Sequence, residues 1–87
     1  MEYMEINKFA ETIMRELIDD PEKLSVTNMV ESDQNVILSV QIPKDYVGQV
    51  MGKNGHLLNA IKRILSSAYS ARGKKHRSFT IEFLQTD

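Results

Sequence analysis

Ile6, Phe9, Ala10, Ile13, Met14, Leu17 and Ile18 recur at spacings of three and four, the period of one apolar helix face. Glu5, Lys8, Glu11, Arg15 and Glu16 fall between them and form the expected wet side. Asp20-Pro21 ends the pattern, because proline disfavours helical geometry in the residue before it. Leu24, Val26 and Val30 predict a first strand, with Asn28 breaking its alternation. "ESDQN" reads as a turn. Val36, Leu38, Val40 and Ile42 then alternate with Ile37, Ser39 and Gln41, a second strand closed by Pro43.

Val47, Val50 and Met51 predict a short helix, followed by Gly52-Lys53-Asn54-Gly55. A longer helix comes next. Leu57, Leu58, Ile61, Ile64, Leu65 and Ala68 are its expected buried stripe, with Asn59, Lys62, Arg63, Ser66 and Ser70 facing out. Gly73 is placed to end it. In the last strand Phe79, Ile81 and Phe83 alternate with Thr80, Glu82 and Leu84, and the two phenylalanines read as core. The order is α-β-β-α-α-β. Helices packed on one face of a small sheet make an α+β fold. Residues 1–87 are expected to form one domain, with no repeat, low-complexity tract or internal linker.

A chain of 87 residues buries a modest fraction of its surface and folds with little to spare. The absence of cysteine excludes a disulfide framework and a thiolate site, and fits a reducing compartment. No apolar run approaches the roughly 18 residues of a membrane span. "MEYMEINKF" is acidic and amphipathic, unlike a secretory signal. A cytoplasmic location is the expectation. Charge changes the picture more. Nine acids and three bases lie between Met1 and Pro43, whereas three acids and eight bases lie between Lys44 and Asp87. The basic half holds the glycine loop; such a split is open to two readings, a field oriented toward an anionic partner or merely uneven surface charge.

The loop invites comparison with a phosphate-binding P-loop. "GQVMGKN" has three residues where that motif needs four, asparagine where it needs Ser or Thr, and a helix before it instead of a strand. That reading fails. Two others stand. Gly52 and Gly55 can form a tight helix–helix junction with no ligand. Alternatively, they let a sugar-phosphate backbone approach closely, while Lys53 supplies charge, Asn54 supplies donors and the following helix offers its N-terminal amides.

"VGQVMGKNGHLLNAIKRI", set between two strands, resembles the KH domain, marked by a strand, a helix, a Gly-x-x-Gly loop, a helix and a strand. The helix and strand before this core resemble the type II arrangement. The likeness runs from about Met4 to Leu84, with the β-α-α-β core at about 35–85 and the N-terminal extension at about 4–31. Length, element order and loop position also match the small single-domain bacterial members that bind RNA. Met51 stands where the family usually has isoleucine, His56 where a basic residue is common, and Lys62 where many relatives carry arginine.

The resemblance implies a three-stranded mixed sheet with three helices on one face, the second and last strands running parallel. It implies a loop that clamps about four nucleotides of single-stranded RNA. Gly52, Lys53, Asn54 and Gly55 would grip the backbone, with His56 beside them. Val47, Val50, Met51 and Leu58 would floor the groove, with Ile37 or Val40 beneath. Lys62 and Arg63 would meet further phosphates. For Arg72, Lys74, Lys75 and Arg77, an RNA contact and a solvated turn are both open. His56 and His76 lack companion groups for catalysis, so neither an enzyme, a metal site nor a cofactor is expected. A protein-interaction or dimerisation module is the alternative, with Tyr3, Tyr69 and Leu84 as exposed apolar contacts. The resemblance also implies a homodimer and a heterodimer with a larger KH-containing protein.

Overall fold

The apolar face at the start of the chain folds as helix α1, Ile6–Arg15, in a computed structural model that describes residues 4–86. Tyr3 lies outside the described residues. Beyond Arg15 the helix tightens: Glu16 N bonds Ile13 O at 3.2 Å and Leu17 N bonds Met14 O at 3.1 Å. Ile18 is still buried past that point, so the apolar period outlasts the helix.

Two of the predicted wet residues do other work. Glu11 is half-buried, and its carboxylate accepts the Val26 amide at 3.0 Å. It also pairs with Arg15 at 3.2 Å, and Arg15 Nε donates to Leu24 O at 3.0 Å. Together they tie α1 to the start of strand β1, Ser25–Ser32.

β1 pairs antiparallel with β2, Asn35–Pro43. Val26 faces Val40 and Asn28 faces Ser39, which leaves Thr27 as an extra residue. This bulge shifts the side-chain phase by one. Met29 therefore packs against the core while Val30 is exposed, contrary to the simple alternation expected of Val26 and Val30. Asp33 and Gln34 form the two-residue hairpin loop, both with positive φ (50° and 68°), as the favoured tight hairpin turns demand.

β2 is central. Its other neighbour is β3, Ser78–Thr86, which runs parallel to it. Between them lie α2, Val47–Met51, and α3, His56–Ala71. The element order is thus the expected one, with a mixed three-stranded sheet. Ser78 Oγ donates to Asn35 Oδ1 at 2.8 Å, and Arg77 N donates to Gln34 O at 2.6 Å. These bonds fix where β3 begins.

Val36, Leu38, Val40 and Ile42 are each 1% exposed or less. They meet Ala10 and Met14 from α1, and Ile61 and Leu65 from α3, in one core. Each fully buried side chain of this size stabilises the fold by about 1.5–3 kcal/mol. Phe79 is buried and Phe83 packs at the core margin, as read from the sequence. Ile64 departs from the expected stripe: it is 48% exposed, and Tyr69 is buried in its place. Ile37 and Val30 face each other on the sheet side away from the helices. Among the described residues no helix is long and apolar enough to cross a membrane.

Candidate nucleic-acid interface

The junction from α2 to α3 is built by three left-handed residues in a four-residue loop. Gly52 ends α2 with φ 71° and ψ −176°, a region open essentially to glycine alone. Its amide closes the last turn onto Gly48 O at 3.0 Å. A Cβ there would stand 2.6 Å from Leu57 Cβ. Asn54 (φ 56°, ψ 25°) and Gly55 (φ 74°, ψ 10°) then turn the chain into α3. Asparagine is among the few residues that tolerate this conformation.

The two glycines differ. Gly52 is fixed by packing as well as by φ, whereas a Cβ at Gly55 would meet no atom within 4 Å. Open space lies in front of Gly55. Lys53, Asn54 and His56 are exposed around it. The loop therefore offers bare backbone, one ammonium group and one side-chain amide on a rigid frame. Gln49 holds that frame to the N-terminal extension: it accepts from Asp19 N and donates to Asp19 Oδ2, both at 3.2 Å.

Val47, Met51 and Leu58 are half-buried beside the loop. Val50 is 0% exposed, so it supports the groove from the core and presents no surface. Val40 is likewise fully buried, and Ile37 lies on the opposite side of the sheet. The floor is narrower than the sequence implied.

Leu58, Lys62 and Ser66 follow one another at four-residue spacing along α3, all half-buried, and so share one edge of the helix. Asn59, Arg63 and Ser67 form the neighbouring exposed row. Lys62, Arg63, Ser66 and Ser67 of these rows border an open cleft of about 330 Å³ between α3 and β3, lined on the far side by His76, Arg77, Ser78 and Phe79. Lys62 thus lies in the cleft wall, about 9 Å along α3 from His56 at 1.5 Å per residue.

The C-terminal basic cluster divides. Lys74 approaches Glu31 at 3.9 Å and lies 5.6 Å from the centre of the Tyr69 ring. Tyr69 is buried, not an exposed contact as expected, and its hydroxyl donates to Glu31. Burial, followed by that bond and the Glu31 charge, pushes the phenol up to about 12. Arg77 borders both the α3–β3 cleft and a depression shared with Asp33 and Gln34. Sequence reasoning missed His76 and Ser66, joined Nε2 to Oγ at 2.5 Å. A serine on the outward row of a helix and a histidine in a loop carry no shared period that would announce the contact.

A family profile described as KhpA/KhpB, KH domain, matches residues 7–81. The RNA-binding protein KhpA of Clostridium acetobutylicum is 29% identical over 70 residues, covering 80% of this chain and 92% of the relative. The RNA-binding protein KhpA of Listeria monocytogenes is 31% identical over 71 residues, covering 82% and 92%. Among solved structures, Era in complex with MgGDPNP and nucleotides 1506–1542 of 16S ribosomal RNA superposes with a TM-score of 0.58. Sequence identity there is 10%, over 92% of this chain and 30% of that one, which is a likeness of fold alone.

Proposed function

Because the chain belongs to the KhpA/KhpB family of KH domains, we propose that it binds single-stranded RNA, with the Gly52–Gly55 loop clamping the sugar-phosphate backbone. The observation that carries this reading is the open space before Gly55, ringed by exposed Lys53, Asn54 and His56. A backbone that must come close needs a position without a side chain, and its charge needs a cation. Val47, Met51 and Leu58 give bases an apolar surface, Val50 supports it from below, and Lys62 and Arg63 extend the positive track along α3. Proteins of this kind hold about four nucleotides per module.

The protein acts as an RNA chaperone or post-transcriptional regulator in the cytoplasm, without catalysis, metal or cofactor. Replacing Lys53 and Asn54 by aspartate tests the clamp. Both side chains are exposed, so the fold should survive while two negative charges enter the phosphate path. Titration with short single-stranded RNA, beside circular dichroism, is the measurement. A folded double variant that binds as well as the parent would remove the assignment.

A dimerisation role has its own support. Val30, Ile37 and Leu84 are 43%, 38% and 42% exposed on the helix-free side of the sheet. We read this side as the surface for self-association and for pairing with a larger KhpB-like (Jag-like) protein. Two modules held together raise affinity through effective concentration, so the roles are compatible. The alternative, a partner-binding domain that touches no RNA, predicts dimers and no RNA titration.

A further inference from the structure

We propose that the cavity between α1, β1 and the end of α3 binds a nucleoside monophosphate group, free or at the end of a strand, with its phosphate on Lys74 and Arg72 and its base between Met4 and Met29. The site is separate from the RNA clamp and does not depend on it.

Size and place come first. The cavity measures about 540 Å³, within the range of small-ligand sites. It opens where Met4 to Asn7, at the start of α1, meet edge strand β1 and the chain leaving α3. α3 has 16 residues and spans about 24 Å at 1.5 Å per residue. The Gly52–Gly55 loop lies at its start and the cavity at its end, so a ligand here leaves the loop open.

The bulge in β1 shapes one wall. A regular strand sends successive side chains to opposite faces, yet Thr27, Asn28 and Met29 all border this cavity. The extra residue at Thr27 breaks the alternation and bends the strand edge there.

The lining matches the parts of a nucleotide. Asn7 and Asn28 make no side-chain hydrogen bond among the described residues. A carboxamide presents donor and acceptor side by side, the pairing that reads a base edge. Met4 and Met29 supply polarizable thioethers that pack on a flat ring, and Met4 is 49% exposed, an apolar side chain left uncovered. Glu5 is the one acid among the described lining residues, and its carboxylate can accept ribose hydroxyls.

Charge selects the phosphate. Arg72 and Lys74 both border the cavity, and ammonium and guanidinium groups form strong charge-assisted bonds to phosphate oxygens. Lys74 meets Glu31 only at 3.9 Å, with the two side chains 54% and 43% exposed. Such surface pairs contribute little, so the ammonium can turn to an anion at small cost.

NMR titration of the amides is the test. The monophosphates of adenosine, cytidine, guanosine and uridine are each added to the parent, beside adenosine alone and inorganic phosphate alone. Amides of residues 5–7, 27–29 and 72–74 should shift saturably with a nucleotide and more weakly with either fragment. Lys74→Gln should weaken the nucleotide several-fold and leave adenosine unchanged. Asn28→Trp, at an exposed edge position, should block the opening and remove binding while circular dichroism stays the same. The Lys53→Asp/Asn54→Asp double variant should bind the nucleotide as the parent does, whatever its affinity for RNA. A ten-nucleotide RNA with a 5′ phosphate, compared with its 5′-hydroxyl form, separates the sources. Cavity shifts that need the strand's phosphate assign a strand end, and shifts from the mononucleotide alone assign a free ligand. No saturable shift at the cavity from any nucleotide or phosphorylated strand overturns the site. Equal binding by inorganic phosphate alone, or a response confined to residues 52–58, overturns it too.

Discussion

A Cβ placed on Gly52 would lie 2.6 Å from Leu57 Cβ, so the first residue of the loop leaves no room for a side chain against the second residue of α3. The contact holds α2 and α3 at their angle. It also separates the two glycines into a structural one and an open one.

The first prediction follows directly. Gly52→Ala should destabilise the fold by at least about 1–3 kcal/mol, the cost of a side chain in that backbone region, with the Leu57 clash added. Gly55→Asn should cost less than about 1 kcal/mol, since asparagine tolerates left-handed geometry. Urea unfolding of both variants checks the order. If Gly52→Ala were the milder change, the packing account would be wrong.

A second prediction concerns RNA. Lys62→Gln should lower the slope of log affinity against log salt by about 0.7 and leave circular dichroism unchanged. An affinity independent of salt in the parent would point to a groove that takes an apolar partner.

Alkaline stability gives a third. Tyr69 is held protonated, with its pKa raised from 10.0 to about 12 by burial and by Glu31. A group whose folded pKa lies above its unfolded value contributes stability that is fully present below pH 10. That contribution disappears as pH rises through about 12. Tyr69→Phe should therefore flatten the loss of stability between pH 10 and 12, measured by thermal melts. It should also remove one late phenolate step from the three-tyrosine absorbance titration. Identical alkaline profiles would argue against the Glu31 bond.

Glu11→Ala is the fourth. It strips the acceptor from the Val26 amide and the partner from Arg15. A part-buried amide left unmatched costs about 1–3 kcal/mol. A surface acid would give a change near zero, so chemical denaturation separates the two descriptions.

The fifth addresses assembly. Ile37→Lys places a charge on the bare sheet side opposite Val30. If that side forms the dimer, sedimentation should show monomers from the variant and dimers from the parent. A variant that remains dimeric would move the interface elsewhere, and a parent that stays monomeric at high concentration would remove the homodimer.

Period and punctuation made the fold legible. β2 shows its two faces in strict alternation, and Asp20-Pro21 and Pro43 mark the boundaries. The errors came from tertiary geometry. The Thr27 bulge moved Met29 inward and Val30 outward, and no local pattern fixes where a strand gains a residue. Glu11 and Arg15 looked like a wet face because the groups they satisfy, Val26 N and Leu24 O, belong to backbone farther along the chain. Tyr69 is buried and Ile64 exposed because the buried row of α3 runs through Ile61, Leu65 and Tyr69 at four-residue spacing, which leaves Ile64 to one side. At the site, the loop itself was readable. The splitting of Lys74 from Arg77 was not, since it depends on which way the α3–β3 connection folds back.

The parallel pairing of β2 with β3 predicts an order of events in folding. The β1–β2 hairpin closes through two residues, and isolated hairpins form in about 1–10 μs. β3 joins β2 only by contacts such as Asn35 with Ser78, far apart along the chain, and such non-local closure is slow. The Gly52–Gly55 loop lies inside that crossover. Until β3 docks, α3 packs on β2, α1 and α2 alone and lacks its contacts with β3. The hairpin is then expected to form early, and the loop surface proposed to grip RNA to be completed late.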